Sequence, residues 1–418
     1  MRMHTSMTPA NTQWDVLLEV DAYLPWSGGS RTYYHNLYRR LAEDFGCCVM
    51  VDTSHCAGEQ SFDLAASHSN LCIRRRDERL PDWKVKRAPA LARKLLHTAI
   101  AAAQTRPRAV HCGDLFPQDA AGAILRRFAS VPLLIYVHGD EISQTQGRRL
   151  QPRVRDLVYR SADALVAANS FAYDRLAVIL GSTARITMIT PGVDFKVFSP
   201  GPPPEWIRSK FSLGEDLVLL TVGRLVKKKG HETVVRSLPL ILKEFPNLHY
   251  LIVGDGPERG QLQELVQQNG LGGHVIFVGN VPHAELGDYY RAADIFCMIN
   301  QRDESGDIES FGMVFIEANS AGKPVVGGRS GGTAQSIVDG ETGLLCEPGN
   351  PSHAAEQLRL LLRNADLRAR MGNAGLARAH REFDWDSRAA QLFEIHQQIA
   401  RSAPMPREIG SPSCIPQR

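Results

Sequence analysis

The sequence predicts an α/β fold in which two similar halves each form a parallel sheet covered by helices on both faces. Short runs rich in Val, Leu and Ile alternate with helical patterns along most of the chain, and polar or glycine-containing loops follow the runs. Such alternation is typical of parallel sheets. The stretch SPGPPPE (199–205) interrupts the pattern, because consecutive prolines remove backbone donors and cannot continue a helix. We therefore interpret this stretch as a linker between two domains.

Each half contributes its own series of elements. In the first half, WDVLLEV (14–20) is a strand pattern, and a Gly-Gly turn leads from it to a helix whose Tyr34, Leu37, Tyr38 and Leu41 recur at helical spacing. The later strand patterns are RAVHCGD (108–114), VPLLIYVHGD (131–140), ADALVAAN (162–169) and RITMITPGV (185–193) in the first half, and LVLLTVG (217–223), HYLIVGDG (249–256), HVIFVGN (274–280) and DIFCMIN (294–300) in the second.

Composition and charge exclude several classes of protein. The 418 residues, with 43% hydrophobic and 22% charged content, suffice for two globular domains of roughly 200 residues each. A net charge of +3 is too small to indicate nucleic-acid binding. The apolar runs are far shorter than the roughly 20 residues that span a bilayer. The polar N-terminus and eight cysteines without CxxC pairs predict a cytoplasmic protein with reduced thiols.

Two loops of the first half contain candidate site residues, because parallel sheets bind ligands at the carboxyl ends of their strands. In PWSGGS (25–30), Gly28 and Gly29 precede a helix and could let backbone amides approach an anion closely, or they could form a plain tight turn. In VHGDE (137–141), His138 ends a strand pattern. A single histidine there could be functional or structural.

Two loops of the second half carry a further set. In VGRLVKKKGH (222–231), Arg224 follows a strand pattern and Lys229 comes five residues later. These cations suit a diphosphate, although a run of lysines could also be a solvated face. The loop VGDGPERG (253–260) suggests a dinucleotide fingerprint, but its third glycine comes one residue late, so the pattern disfavours a dehydrogenase.

Two glutamates flank an uncharged segment within GDIESFGMVFIEANSAGKPVV (306–326). Glu309 and Glu317 are separated by seven residues without charge. If the segment is helical from the glycine onward, eight steps advance the chain by about 12 Å, so the two carboxylates cannot share one proton or one metal ion. They could hold distant parts of one elongated ligand, or they could be ordinary surface charges.

Taken together, these loops resemble the retaining glycosyltransferases of family 4, which have the two-domain GT-B fold. The resemblance is densest over about 130 residues of the second half and thinner in the first, and it spans nearly the whole chain. The matching stretches are VGRLVKKKGHETVV, LIVGDGPERGQLQ, VGNVPHAELGDYYRAADIF, ESFGMVFIEANSAGKPVVGG, GGTAQSIVDGETGLL and, in the first half, the Gly-Gly loop, HGDE, AANS and PGVDFKVFSP.

The resemblance implies two Rossmann-like domains with a cleft between them: an acceptor-binding domain (1–200) and a nucleotide-sugar-binding domain (201–385). A helix (386–402) would cross back to the first domain, and the Pro/Ser-rich tail (403–418) is predicted to be disordered. Near this helix, FDWDS matches the family's Phe-x-Trp position. Its Asp384 and Asp386 are better interpreted as helix-start residues than as a metal-binding pair.

The resemblance also implies roles at the donor site. Glu309 would face the hydroxyls of the transferred sugar, and Glu317 those of the ribose. Arg224 and Lys229 would neutralise the leaving diphosphate. The amides of Gly312, Met313 and Val314, at the start of the intervening helix, would point at the phosphates. The remaining expected contacts are Gly28 and Gly29 from the other domain, Val281 and Pro282 at the base, and His138 beside the sugar and acceptor, with Asp140 nearby.

Two positions depart from the family's usual residues. Ser310 stands where glycine is usual after the first glutamate, and Gln335 stands where GGTAE is usual. The serine would narrow the sugar pocket, whereas the glutamine keeps hydrogen-bonding capacity but loses a charge. Neither change touches the cations or the paired glutamates, so we expect catalysis to persist.

The predicted reaction is the transfer of a hexose from a UDP- or GDP-linked donor to a hydroxyl of a saccharide, a glycolipid or a small molecule, with retention of configuration and without a metal cofactor. A basic segment (73–99) with apolar residues could touch an anionic membrane that carries a lipid acceptor, or it could be a solvated surface. The alternative functions are nucleotide-sugar epimerisation and non-catalytic binding of a nucleotide sugar.

Overall fold

Two parallel sheets, one in each half of the chain, organise the fold. The structure is a computed structural model that describes residues 14–25, 28–68, 70–76, 87–113, 118–139, 142, 151–304 and 306–401. The strands of the first sheet are β1 (Val16–Glu19), β2 (Val49–Ser54), β3 (Leu71–Arg76), β4 (Ala109–Cys112), β5 (Leu133–Val137), β6 (Ala164–Ala167) and β7 (Ile186–Met188). Those of the second are β8 (Val218–Val222), β9 (His249–Val253), β10 (Val275–Gly279), β11 (Ile295–Met298), β12 (Val325–Gly328) and β13 (Gly343–Cys346).

Both sheets reverse their strand order once, and this reversal places the site. The first sheet runs β3-β2-β1-β4-β5-β6-β7 and the second runs β10-β9-β8-β11-β12-β13. The pairs at the reversals, β1 with β4 and β8 with β11, are parallel, as are their neighbours. A crevice opens at the carboxyl ends of such a strand pair. The predicted α/β fold with two tandem sheets is confirmed.

Helices cover the sheets and follow the strands in alternation. The helices around the first sheet are α1 (Gly29–Glu43), α2 (Glu59–Ala66), α3 (Arg87–Thr105), α4 (Gln118–Ala129), α5 (Gln151–Ser161) and α6 (Ser170–Leu180). Those of the second half are α7 (Glu205–Lys210), α8 (His231–Ile241), α9 (Arg259–Gln268), α10 (His283–Ala292), α11 (Met313–Ser320), α12 (Thr333–Ser336), α13 (Pro351–Arg363) and α14 (Ala365–Glu382).

The last described helix, α15 (Trp385–Arg401), packs on the first sheet rather than on the second. Its buried Trp385, Leu392 and Ile399 belong to the core cluster that includes β1 and the inner face of α1. Asp384 accepts hydrogen bonds from the amide and hydroxyl of Ser387 at the start of this helix. Asp386 forms an ion pair with Arg40 of α1. The chain therefore returns to the first half after completing the second.

The helix in the glutamate-flanked segment is shorter than the continuous helix on which the estimate of the separation between the two glutamates rests. The helix α11 begins only at Met313, after Gly312, whose φ of 82° is left-handed. Glu309 lies in the preceding loop, where its carbonyl oxygen accepts a hydrogen bond from the Gly332 amide. A separation calculated for a continuous helix is therefore wrong for this pair of glutamates.

At the end of the proline-rich linker, a short helix, α7, starts directly after Pro204.

Some sequence predictions concern residues outside the described ranges. These are the tail 403–418, Asp140, and much of the basic segment 73–99. Within the ranges that the structure describes, no helix is both long enough and apolar enough to cross a membrane.

Candidate active site

The loops that follow β8 and β11 form the charged part of the site. Lys229 ends a single 3-10 turn (Lys227–Lys229) after β8, and Glu309 lies between β11 and α11. The turn is closed by Gly230 with a φ of 69°, and a Cβ at Gly230 would collide with the carbonyl of Ile299. This close backbone approach holds the Lys229 loop against the end of β11. The topology thus explains why two distant parts of the sequence meet.

Lys229 and Glu309 form an ion pair at the centre of this arrangement. The Nζ of Lys229 lies 2.5 Å from Oε2 of Glu309, and the two side chains are only 15% and 14% exposed. Burial raises the pKa of Glu309, but the Lys229 charge and hydrogen bond, together with the Gly312 amide, outweigh it, so that the pKa lies below its ordinary value. Glu309 is therefore ionised at neutral pH and neutralises Lys229 when no ligand is present.

Glu317 has a different environment from Glu309. It lies on α11, is 8% exposed, and accepts a hydrogen bond of 2.8 Å from the hydroxyl of Tyr290. Burial raises the pKa of Glu317 to about 7, although Tyr290 and the Lys229 charge act in the opposite direction. The two glutamates consequently differ in charge state near neutral pH, and Lys229 influences both.

The N-termini of α1 and α11 meet across the cleft. Gly28 precedes α1 with a φ of 152°, and the N-cap residues of the two helices, Gly28 and Gly312, are glycines that have no side chain to cap them. A Cβ at Gly29 would lie 3.7 Å from Sδ of Met313. Met313 packs partly against core clusters of both halves, whereas Val314 packs only against one in the second. Helix N-termini favour anions, and the structure brings two such ends close together.

Arg224 lies at the end of β8, on the same loop as Lys229, and is exposed. Glycines of the next loop support it: a Cβ at Gly254 would collide with the carbonyl of Gly223, and a Cβ at Gly256 would lie 2.5 Å from that of Leu225. The glycines of VGDGPERG therefore let this loop pack closely against the backbone of the Arg224 loop. The predicted base contact, Val281, is half-buried in the loop just before α10.

His138 follows β5 and approaches the site from the first half. Its Nε2 lies 2.6 Å from the hydroxyl of Tyr34, and the Nδ2 of Asn169 donates to its carbonyl oxygen at 2.7 Å. A small cavity between the two halves is lined by His138, Gly139, Phe171, Ile308, Ser310 and Gly332. His138 therefore lies opposite the loop that begins with Glu309 and Ser310.

Sequence reasoning missed several residues that organise the site. Tyr290, Tyr34 and Asn169 reach their partners across 27, 104 and 31 residues of sequence, so no local pattern indicates them. Gly331 and Gly332 belong to the GGTAQ motif, and their role is structural. A Cβ at Gly331 would collide with the carbonyl of Glu309, and a Cβ at Gly332 with that of Ser310. Among the described residues, no cluster of three or more His, Cys, Asp or Glu side chains could hold a metal ion.

Two family models match most of the chain. Residues 204–378 match "Glycosyl transferases group 1" and residues 27–197 match "Glycosyltransferase Family 4". A GDP-mannose-dependent alpha-(1-6)-phosphatidylinositol monomannoside mannosyltransferase from Mycolicibacterium smegmatis is 28% identical over 385 residues, which cover 91% of this chain and 97% of that protein. A GDP-mannose-dependent monoacylated alpha-(1-6)-phosphatidylinositol monomannoside mannosyltransferase from Corynebacterium glutamicum is 30% identical over 298 residues, which cover 69% of this chain and 76% of that protein.

Solved structures show the same architecture. Anabaena HepE, in complex with UDP and glucose, superposes with a TM-score of 0.75 at 19% identity, over 92% of this chain and 100% of that one. Sucrose-phosphate synthase from Thermosynechococcus elongatus gives a TM-score of 0.77 at 23% identity, over 93% and 100% of the two chains. At these identities the likeness establishes the GT-B fold. With both halves matched, the chain belongs to the group 1 glycosyltransferases of family 4 and is a glycosyltransferase.

Proposed function

We propose that the protein is a retaining hexosyltransferase that uses a nucleoside-diphosphate sugar, with GDP-mannose as the first donor to test and a glycolipid or saccharide hydroxyl as acceptor. The observation that carries the proposal is the placement of Lys229 beside Glu309 and near Glu317, at the start of α11. The GDP-mannose-dependent relatives support the choice of donor and of a lipid-linked acceptor. A UDP-linked hexose is the second donor candidate.

The donor would lie along the line from Glu317 to Glu309. Glu317 would accept from the ribose hydroxyls, the base would lie near Val281, and Glu309 would accept from the sugar hydroxyls. The diphosphate between them would meet Lys229, Arg224 and the first amides of α11. Because Lys229 is bound to Glu309 without ligand, the arriving phosphate oxygens must share or replace that ion pair. Donor binding therefore redistributes charge within the site.

Catalysis would rest on stabilising the leaving diphosphate. As the bond from the sugar to the phosphate breaks, negative charge grows on the phosphate oxygens, which Lys229, Arg224 and the α11 amides would stabilise. A preorganised donor of this kind lowers a barrier by roughly 3 kcal/mol. The departing phosphate would take the acceptor's proton on the same face, so an α-linked donor yields an α-linked product. His138 would orient the sugar and the acceptor hydroxyl.

The test is product analysis with the full chain. GDP-mannose and UDP-glucose are each incubated with inositol-containing glycolipids and simple saccharides, and mass spectrometry detects transfer. Proton NMR of the first-formed product then reports the anomeric configuration. Retention with one donor and persistent turnover in excess chelator are the expected results. A β-linked product from an α-linked donor contradicts the mechanism, and loss of turnover with chelator contradicts metal-independent catalysis.

The same experiment separates the alternative functions. Interconversion of the free sugar nucleotide without transfer to any acceptor would identify an epimerase instead. Binding of the nucleotide sugar without turnover would identify a non-catalytic protein. Peripheral contact with an anionic membrane remains a prediction, and it is tested by adding phosphatidylglycerol vesicles to the assay and measuring the bound fraction by sedimentation.

A further inference from the structure

Phe171 is a half-buried aromatic side chain that lies outside the hydrophobic cores. It is the second residue of α6 and belongs to none of the four hydrophobic clusters that the described residues form. On the same helix, Ala172 and Leu176 are fully buried and belong to the cluster beneath α6. Aromatic rings usually supply core packing. A ring that is half-buried without joining a core therefore calls for another role.

The Phe171 ring forms one wall of the cavity between the two halves of the chain. The residues that line this cavity are His138, Gly139 and Phe171 from the first half and Ile308, Ser310 and Gly332 from the second. Ile308 and Ser310 flank Glu309, to which the proposed function assigns the donor sugar. Because the donor lies on the second half in that proposal, a side chain that faces the cavity from the first half lies on the acceptor side.

Contacts with the backbone and with a cation fix the position of the Phe171 ring. Gly139 has a left-handed φ of 104°, and a Cβ there would lie 3.0 Å from Cδ1 of the ring, so the glycine lets the backbone approach closely. One turn along α6, the guanidinium carbon of Arg175 lies 5.5 Å from the ring centroid, which is a cation–π distance. Asn169 caps the start of the helix. The ring is therefore held in place before any ligand binds.

The size of the cavity limits what can enter it. Its volume is about 10 Å³, which is room for one group of the size of a water molecule or a hydroxyl. A hydroxyl could enter, whereas the sugar ring that carries it would remain outside, against the wall. The C–H bonds of a cyclic polyol form an apolar face, and stacking this face on an aromatic ring removes apolar surface from water.

We propose that Phe171 determines acceptor specificity by stacking against the ring of a cyclic polyol, a pyranose or an inositol, whose hydroxyl enters the cavity beside His138. This inference rests on the proposed function and deepens it, because it names the class of acceptor. An acyclic polyol presents the same hydroxyl groups but has no rigid apolar face to stack. Phe171 should therefore favour cyclic acceptors over acyclic ones.

The chain offers a matched control in Phe128. Its ring is 82% exposed on α4, and the guanidinium carbon of Arg127 lies 5.8 Å from the ring centroid, much as Arg175 lies over Phe171. Phe128 does not line the cavity. Phe128→Ala therefore removes an equal side chain elsewhere, whereas Phe171→Ala removes the stacking ring and Phe171→Tyr keeps it. Thermal denaturation shows whether each variant is folded.

Saturation-transfer NMR on the full chain, with GDP or UDP present, tests the contact directly. The probes are myo-inositol and methyl α-mannoside as cyclic polyols and mannitol as the acyclic one. The C–H protons on one face of a cyclic probe should receive saturation from the wild type, Phe171→Tyr and Phe128→Ala, and most of this signal should disappear with Phe171→Ala. Equal saturation from Phe171→Ala and the wild type, or none of either cyclic probe by the wild type, overturns the proposal.

Kinetics separate this proposal from the proposed function. With GDP-mannose or UDP-glucose as donor, Phe171→Ala should lower kcat/KM for the cyclic probes by about tenfold, through the KM for the acceptor, and change the KM for the donor by less than about twofold. Phe171→Tyr and Phe128→Ala should stay close to the wild type. Equal losses for cyclic and acyclic acceptors overturn the assigned specificity. Absence of transfer from either donor contradicts the proposed function, whereas the saturation-transfer result still decides the stacking contact.

Discussion

At the residue scale, Lys229 interacts electrostatically with both glutamates of the site. It forms the buried ion pair with Glu309, and its charge also lowers the pKa of Glu317 against the effect of burial. Lys227, two residues earlier in the same turn, pairs instead with Glu304 at the surface, where the side chains are 49% and 87% exposed. A pair at the surface contributes little, whereas removing one partner of a buried pair is costly.

This contrast leads to a prediction for the lysine turn. Lys229→Ala should lower kcat by about a hundredfold, because a preorganised cation at the leaving group is lost, while Lys227→Ala should stay within about threefold of the wild type. Steady-state kinetics measure both, and circular dichroism confirms that each variant is folded. Equal effects of the two substitutions would place the diphosphate elsewhere.

From the raised pKa of Glu317 we predict that donor binding depends on pH. A carboxyl group whose pKa rises from 4.5 to about 7 keeps its proton in the folded state where the unfolded chain is already ionised. The contribution of Glu317 to stability should therefore fall as pH rises from 4.5 through about 7. Binding of ribose hydroxyls needs the carboxylate, so affinity for the nucleoside diphosphate should rise through the same upper range.

Calorimetry across this range checks the prediction with Glu317→Gln as the comparison. The variant should bind more weakly above neutral pH and lose most of the increase in affinity with pH, because it cannot ionise. It should also lose the corresponding slope in thermal stability of the ligand-free protein. An identical slope in both proteins would mean that another group titrates.

The residues of the donor site were easier to predict than their partners. Glu309 and Glu317 stand out because they flank an uncharged segment, and the family resemblance supplied their proposed roles. Burial, which separates their pKa values, depends on packing that spacing does not encode. Tyr290 donates a hydrogen bond to Glu317, although in the sequence it belongs to a pair of aromatic residues that looks like part of an ordinary hydrophobic core. Charged residues are thus visible locally, whereas the groups that set their protonation are visible only after folding.

At the element scale, the break before α11 is the feature that the continuous-helix estimate of the glutamate spacing missed, whereas the expected start of the helix at Gly312, Met313 and Val314 agrees with the structure. The residues before Met313 are uncharged and apolar enough to continue a helix, so periodicity does not indicate the break. The left-handed Gly312 ends the preceding loop, and the Gly332 amide holds that loop through the carbonyl of Glu309. The competing interactions are tertiary backbone contacts, which a helical pattern cannot reveal. The break places the N-terminus of α11 beside Glu309, whose carboxylate interacts with the Gly312 amide.

Gly312→Ala tests this helix start. At a φ of 82° an added Cβ is strained and would lie 2.6 Å from the Phe315 ring, so the free energy of unfolding should fall by about 1–2 kcal/mol. Affinity for the nucleoside diphosphate should also weaken, because the amides shift. Chemical denaturation and calorimetry measure the two effects.

Gly260→Ala is the control for the helix start. Gly260 lies within α9, and a Cβ there would meet no atom within 4 Å. Alanine in a helix is favoured over glycine, so this variant should be as stable as the wild type or slightly more so. If Gly312→Ala proved equally harmless, the backbone at Gly312 would not be constrained as described.

At the scale of the whole molecule, the architecture of two parallel sheets was predictable and the contact between the two halves of the chain was not. Alternating strands and helices on both sides of a proline-rich stretch indicate two sheets, whatever the details of each loop. The approach of one domain to the other depends on single side chains such as Gln335. Its Oε1 accepts from the Ser170 amide at 2.9 Å, and its Nε2 lies 3.5 Å from Sδ of Met188. These partners lie 165 and 147 residues away in sequence.

Gln335 therefore connects closure of the cleft to His138. Ser170 is the first residue of α6, which Asn169 caps, and Asn169 also holds the carbonyl of His138. Gln335 stands out in the sequence because the family usually has a glutamate at this position. In the structure, the side-chain carbonyl of Gln335 accepts from the first amide of α6. A carboxylate would interact more favourably with the helix dipole.

Substitutions at Gln335 should consequently shift the balance between open and closed forms. Gln335→Ala removes both exposed side-chain hydrogen bonds of Gln335. Because one such bond is worth about 0.5–1.5 kcal/mol, the closed population and kcat/KM should fall by about two- to tenfold. Gln335→Glu should keep or strengthen the closed form through its charge at the α6 N-terminus. Arg329→Ala, which removes a surface ion pair with Asp339 inside the second domain, should change neither. Small-angle scattering of the ligand-free proteins reports closure, and steady-state kinetics report turnover. A smaller radius of gyration for Gln335→Ala than for Gln335→Glu would mean that this contact does not hold the domains together.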